Sequence, residues 1–273
     1  NVCMQYKALT ELYVHMEKTS KRLDKTFLLS EFLKQCPEED LKSVVYLIQG
    51  RVFSQADERK LGMSSQLLVK VIALASGESK ETIENQWKNE GDLGLVAEKI
   101  LAKKKQKTLF GKSLTVKKVV ENIMKLAETE GEGAVQRKIS LIAELVSSTS
   151  NVEARYIVRT VTEELRTGVG DGVLRDALVW AFYPKIIGIF YRCEKCKTFN
   201  PLTEKCLLCG GQMEDTFSEE IQKKFSKDII VPKDEKEGRD LYNSYIEQVD
   251  HAFHVSNDFG MIAELLKEKG PKG

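Results

Sequence analysis

Gly91-Asp92-Leu93-Gly94-Leu95-Val96-Ala97-Glu98 is echoed near the end of the chain by Asn257-Asp258-Phe259-Gly260-Met261-Ile262-Ala263-Glu264. In each copy an Asp stands where its carboxylate can cap a helix, and apolar residues follow at once. The repetition argues for two related helical halves, able to offer a symmetric surface to a symmetric partner such as a duplex. The competing explanation is that capped amphipathic helices resemble one another by chance.

Helical period runs through most of the chain. Leu9, Leu12, Tyr13 and Met16 recur at i, i+3, i+4, i+7, and Ile139, Ile142, Ala143 and Val146 repeat the spacing. Gly77 closes the segment Ser64 to Ser76, Pro37 opens Pro37 to Gln49, and Gly131 with Gly133 separates two helical stretches. Strand-like alternation is confined largely to Lys185 to Met213. The expected fold is therefore mainly α, with a small β insertion.

At 273 residues, with 42 % hydrophobic and 30 % charged residues, the chain can bury a substantial core, which excludes a disordered tail or a disulfide-held miniprotein. No apolar run approaches the roughly 20 residues needed to cross a bilayer, and the N-terminus lacks the order of a secretory signal. A soluble, intracellular protein without a membrane partner is expected. With 42 Lys and Arg against 41 Asp and Glu, affinity for a polyanion must come from local charge segregation.

Such segregation exists. Between Glu98 and Glu121 stand Lys99, Lys103, Lys104, Lys105, Lys107, Lys112, Lys117 and Lys118 without an acid, a run that reads either as a solvated loop or as a phosphate-binding patch. From Asn151 to Phe182 the signal is sharper. On a continuous helix Arg155, Arg159 and Arg166 fall within about 40° of one another, opposite Ile157 and Val161. Arginine on a shared stripe suits bidentate phosphate contacts; the alternative is an exposed face paired with Glu153, Glu163 and Glu164. Arg166-Thr167-Gly168-Val169-Gly170-Asp171-Gly172 follows, where glycines let backbone amides approach an anion and a helix starting near Asp171 points its positive end there. Leu61-Gly62-Met63-Ser64-Ser65, ahead of the helix carrying Lys70, is a second turn of similar design, in which the alternative role of Ser64 or Ser65 is simply that of a helix cap. Neither a phosphate-binding G-x-x-x-x-G-K-[ST] loop nor a complete dinucleotide fingerprint is present.

Cys193-x-x-Cys196, nine residues, then Cys206-x-x-Cys209 places two thiolate knuckles a hairpin apart, with Gly210-Gly211 easing the second turn. Four soft thiolates in this arrangement suit tetrahedral zinc, and so small a lobe has little core without it. The residues leave three readings of the lobe open: a metal-held insertion that stabilises its own loop, a DNA contact through Lys195, Lys197 and Lys205, or a docking point for a protein. His15, His251 and His254 are scattered and form no metal or catalytic grouping.

Taken in order, Tyr6 to Arg22, Leu61 to Gly77, Gly91 to Glu98, Arg155 to Leu174 and Val255 to Leu266 resemble the N-terminal DNA-binding domain of archaeal and eukaryotic ATP-dependent DNA ligases. The resemblance implies an all-helical domain of two pseudo-symmetric halves that grips nicked duplex DNA across the minor groove, mainly through phosphates. It carries Arg166, Thr167, Gly168 and Gly170 over as a phosphate-contacting turn and places Ser64 and Ser65 in the family's other helix-entry turn. Lys70, Lys138, Arg155 and Arg159 are carried over through their placement on polar faces. The segment from Lys185 to about Asp240, with the cysteines, departs from the family pattern.

Ligases of this class form a lysine–AMP adduct on a K-x-D-G motif. Here Asp171-Gly172 is preceded by Val169 at the lysine position, so no adenylating lysine is expected. The resemblance implies that nucleotidyltransferase and OB-fold domains, with ATP and magnesium, follow Gly273, that the family pattern begins near Met4, and that this chain alone binds DNA without sealing it. The expected organisation is a helical domain over 4–184, a zinc-ribbon-like insertion and linker over 185–240, and a closing helical part over 241–270. The expected role is sequence-independent binding of nicked double-stranded DNA within a ligase of replication and repair. The expected state is a cytoplasmic, nucleoid-associated monomer, with a sliding clamp as a partner at the level of the family. The second reading, from a different class, is a helical protein-interaction scaffold with the zinc ribbon as docking module.

Overall fold

A computed structural model describes residues 3–103, 114–201, 203–214, 223 and 228–272. The described residues form twelve helices and four short strands. They are α1 (Tyr6–Glu17), α2 (Arg22–Gln35), α3 (Glu38–Ile48), α4 (Ser65–Ser76), α5 (Lys80–Glu90), α6 (Leu93–Lys103), α7 (Val116–Glu128), α8 (Ala134–Ser147), α9 (Asn151–Val161) and α10 (Asp171–Phe182). Strands β1 (Lys185–Ile186), β2 (Phe190–Arg192), β3 (Phe199–Pro201) and β4 (Ile229–Ile230) precede α11 (Glu235–Ser256) and α12 (Phe259–Lys269). No helix among the described residues is long and apolar enough to cross a membrane.

Local chemistry sets most helix ends. Ser64, Ser79 and Thr115 accept hydrogen bonds from the first-turn amides of α4, α5 and α7. At α9, Ser150 and Glu153 make a reciprocal capping box. Gly77 and Gly91 stop α4 and α5 in the left-handed conformation, with φ of 81° and 67°. The two echoed motifs behave alike: Gly91 ends one helix and Asn257, at φ 50°, ends another. Asp92 then accepts from the Gly94 and Leu95 amides, and Asp258 from the Met261 amide.

The chain divides into two compact units, and each holds one copy of the echo. The first comprises residues up to Glu17 together with Pro37–Gly168. In it α1 and α6 pack on α9, α4 packs on α8, and α7 lies against α3 and α8. Tyr6, Leu9, Tyr13 and Met16 of α1 are fully buried, and the Tyr13 and Tyr156 rings sit 4.9 Å apart. The second unit comprises Lys18–Cys36 and the chain from Val169 onward. Here α10 packs along α2 and also meets α11 and α12. Phe253 and Phe259 stack across the Asn257 turn, centroids 3.9 Å apart. β2 and β3 pair antiparallel, whereas β1 and β4 pair in parallel and close the neck of the insertion.

At the α6–α9 crossing the two helices approach closely. A Cβ at Gly94 would lie 2.7 Å from the Arg155 carbonyl oxygen and 2.7 Å from Arg159 Cγ, well inside van der Waals contact. Only the missing side chain lets the two helices meet there. Gly94→Ala is therefore expected to lower stability by about 1–3 kcal/mol despite its better helix propensity, read as a reduced urea midpoint at unchanged slope.

Candidate nucleic-acid interface and metal centre

The arginine stripe expected on one helix is not formed. α9 ends at Val161, and Glu163 and Arg166 take left-handed φ values of 58° and 62°, so Arg166 leaves the helix that carries Arg155 and Arg159. Those two turn inward instead. Arg159 is 5 % exposed and donates to Asp92 through Nη2 at 2.6 Å and Nε at 3.1 Å, to Glu17, and to the Leu165 carbonyl at 3.3 Å. Arg155 pairs with Glu98 at 3.1 Å and Glu17 at 3.8 Å, and both guanidiniums lie over the Tyr156 ring. The partners come from α1, from α6 and from the turn that precedes α6. Of the nearby acids weighed in the sequence, Glu164 pairs with Arg166.

Burial alone would raise the Asp92 carboxyl. The Arg159 hydrogen bonds and charge, the Leu95 amide and the charge of Arg166 outweigh it and hold the carboxyl below the ordinary carboxylate range. Burial likewise opposes the charge on Arg159, and Asp92 and Glu17 more than restore it.

Arg166 remains available at the surface. Its Nη2 donates to the Gly91 carbonyl and to Glu164, both at 2.8 Å, and its side chain is 45 % exposed. Thr167 beside it is buried, while Gly168, at φ 68°, is exposed. The chain then passes into the second unit, where Gly170 stands in extended conformation as the N-cap of α10 without a side-chain cap, and a Cβ there would meet nothing within 4 Å. Arg22 on α2 adds a cation that the sequence reading missed: its Nη2 would stand 3.1 Å from a Cβ on Gly172, and it donates to Asp176 at 2.7 Å. Nothing local to Arg22 signals this neighbour, which α2–α10 packing supplies.

The other helix-entry turn is joined to a distant lysine. Lys138 on α8 donates through Nζ to the Leu61 carbonyl at 3.0 Å, and a Cβ at Gly62 would lie 2.5 Å from that nitrogen. The glycine, at φ 62°, is what admits it. Ser64 caps α4, Ser65 is its first residue, and Lys70 is exposed further along it. In the lysine run, Lys99 pairs with Glu90, Lys117 with Glu121 and Lys118 with Glu144, and Lys103 is exposed. Lys104, Lys105, Lys107 and Lys112 lie outside the described residues.

Cys193, Cys196, Cys206 and Cys209 converge, their sulfurs all within 4.8 Å of one another, and could hold a metal ion. Sγ of Cys193 is 3.6 Å from that of Cys209, and Cys196 3.5 Å from Cys206, close to the edge of about 3.8 Å that a zinc–sulfur bond near 2.3 Å gives a tetrahedron. The two knuckles are built alike. Lys197 and Gly210 take φ of 61° and 69°, and their amides donate to the carbonyls of Cys193 and Cys206. Hydrogen bonds from Thr198 lower the Cys196 thiol to about 6, whereas at Cys209 the lowering by the Gly211 amide is outweighed by burial and the neighbouring sulfurs, which raise that thiol to about 11. Of the nearby lysines, Lys195 and Lys205 are exposed and Lys197 pairs with Glu214 at 3.2 Å.

A model of the DNA ligase N terminus family matches residues 5–179. The DNA ligase of Thermococcus onnurineus is 43 % identical over 182 residues, covering 67 % of this chain and 32 % of that protein. The DNA ligase of Methanothermobacter thermautotrophicus is 43 % identical over 177 residues, and that of Nanoarchaeum equitans 38 % over 179, covering 65 % and 66 % of this chain and 32 % and 31 % of theirs. The chain thus spans about a third of the length of these curated relatives, and the family match stops before the cysteine module.

Asp92 binds a proton less readily in the folded chain than in the unfolded one, because its carboxyl is held down. Its contribution is therefore complete above the unfolded value of roughly 3.9 and is lost as pH falls through the folded one. Asp92→Asn is expected to cost about 3–5 kcal/mol near neutral pH, by leaving Arg159 buried without its counter-charge, and to flatten this acid limb. Thermal melts across pH 2–7 would show a wild-type limb steeper than that of the variant; parallel curves would refute the assignment.

Proposed function

Because the chain belongs to the DNA ligase N terminus family, we propose that it is the part of a DNA ligase that holds nicked double-stranded DNA, without base reading, through phosphate and minor-groove contacts. The observation that carries this is the span of the family match, residues 5–179, which takes in both glycine-bearing helix-entry turns and the exposed Arg166 between them in sequence. The contacting groups in this reading are Arg166, Thr167, Gly168 and Gly170 with the α10 amides, Ser64 and Ser65 at the start of α4, and Lys70 and Lys138. Phosphate oxygens take hydrogen bonds from amides at a helix N-terminus and charge from neighbouring cations. Arg155 and Arg159, whose donors are turned to carboxylates, serve as the frame that sets the Arg166 turn.

The parent ligase, in this reading, seals nicks in replication and repair with ATP and magnesium bound by domains outside this chain, and a sliding clamp is its family-level partner. Cys193, Cys196, Cys206 and Cys209 hold zinc, which supplies the cross-link that this small lobe lacks in apolar core.

Titration of labelled nicked duplex is expected to give binding that weakens steeply with salt and shows no sequence preference. Arg166→Ala and Lys70→Ala should each weaken it and lower the salt slope by about one charge, with folding unchanged. Binding insensitive to salt, or wild-type affinity in both variants, would shift the assignment to the protein-scaffold reading. The purified chain should also contain about one zinc per molecule by elemental analysis, and Cys206→Ser should abolish that content.

A further inference from the structure

The cysteine module is not anchored only by its own knuckles. Phe190, the first residue of β2, is 3 % exposed. Its ring meets Trp180 of α10 edge-on, centroids 5.5 Å apart, and lies 6.3 Å from Tyr242 of α11. Trp180 Nε1 donates to the Tyr242 hydroxyl at 2.9 Å. Lys185 Nζ donates to the Trp180 carbonyl and stands 4.9 Å over the Phe190 ring. One aromatic residue of the insertion thus sits in the seam between two helices of the second unit.

Phe190 is in turn tied to the sulfurs by a short, continuous path. β2 runs directly from Phe190 through Arg192 into Cys193. Its partner strand places Asn200 opposite Tyr191. Asn200 is fully buried, donates through Nδ2 to Cys206 Sγ at 3.3 Å and accepts from the Leu207 amide at 2.8 Å. The β2–β3 register therefore depends on both knuckles: one is covalently next to β2, and the other is hydrogen-bonded to β3. A lobe this small, with few buried apolar side chains among its described residues, has little to hold that register once its cross-link is lost.

We propose that metal occupancy of the four-cysteine site controls the packing of α10 against α11, making the module a conformational clamp on the second unit. This rests on the reading of the four thiolates as a metal site. Loss of the metal frees the knuckles, the β2–β3 register relaxes, and Phe190 leaves the Trp180–Tyr242 seam, so the change is felt in helices that contain no metal ligand.

Hydrogen exchange of the whole chain, with one equivalent of zinc and after chelation, tests the coupling. Amides in the last turns of α10 and the first half of α11 are expected to exchange about tenfold faster or more without metal, with α6 and α9 as the internal reference. Faster exchange confined to residues 190–214 would overturn the proposal. Phe190→Ala should keep one zinc per chain yet show the fast pattern in α10 and α11 whether zinc is present or not; protection equal to wild type in that variant would also overturn it. Should the wild-type chain retain no zinc by elemental analysis, the metal reading fails and takes the clamp with it, whereas zinc retained without coupling refutes the clamp alone.

Discussion

The buried pair of Asp92 and Arg159 organises the first unit. One carboxylate caps the start of α6, accepts from Nε and Nη2 of a guanidinium on α9 and lies 3.8 Å from Arg166. The same guanidinium reaches Glu17 at the end of α1 and the carbonyl of Leu165 beyond α9. Three helices and one turn therefore share two side chains. Burying such a pair gains little against an apolar replacement, but removing one partner leaves an uncompensated charge, so the arrangement fixes geometry more than it adds stability. Gly94 is the steric counterpart: the approach that lets Arg159 reach Asp92 leaves no space for a side chain there.

In the second unit the helices join through apolar and aromatic contacts, with Phe253 stacked on Phe259 and Trp180 bonded to Tyr242, and through ion pairs at its surface, Arg175 with Asp250 at 3.0 Å and Arg22 with Asp176 at 2.7 Å. On the metal reading, coordination by four sulfurs would add a cross-link there that the described residues of the first unit do not have. The parallel pairing of β1 with β4 brings Lys185 and Ile186 against Ile229 and Ile230, so both ends of the insertion leave the helices at one place. Such a closed neck explains how a ribbon can be inserted between α10 and α11 without separating them.

What the sequence made legible follows from the range of each interaction. Caps act within three residues, so the roles of Ser64, Asp92 and Asp258 could be read from their neighbours. Two Cys-x-x-Cys knuckles nine residues apart leave little freedom for the sulfurs, and they converge. The arginines were misread because a stripe assumes an unbroken helix. Neither Glu163 nor Arg166 is glycine, so nothing local announces their left-handed backbone. The acids that take up Arg155 and Arg159 are Glu17, Asp92 and Glu98, remote in sequence and recognisable only after α1 and α6 have packed on α9. Gly62 carried a usable signal: a glycine ahead of a serine cap fits a close approach, though not the identity of Lys138 as the group that approaches.

The near-balance of 42 basic and 41 acidic residues takes on meaning once the cations are sorted by what they touch. Arg155 and Arg159 are spent inside the first unit, and Lys99, Lys117, Lys118 and Lys197 face carboxylates at its surface or in the metal lobe. A buried, doubly paired guanidinium projects almost no field, since its counter-charges lie within hydrogen-bond distance. An exposed one, such as Arg166, whose partner Glu164 is itself at the surface, can exchange that partner for an anion while its bond to the Gly91 carbonyl restricts where it can point. On the proposed reading, then, affinity for a phosphate backbone depends not on the count of basic residues but on which are exposed enough to exchange a surface partner for a phosphate. Arg166, placed by a turn that the Asp92–Arg159 pair holds in shape and 3.8 Å from Asp92 itself, meets that condition, and the interior ion pair thereby sets the position of a surface charge.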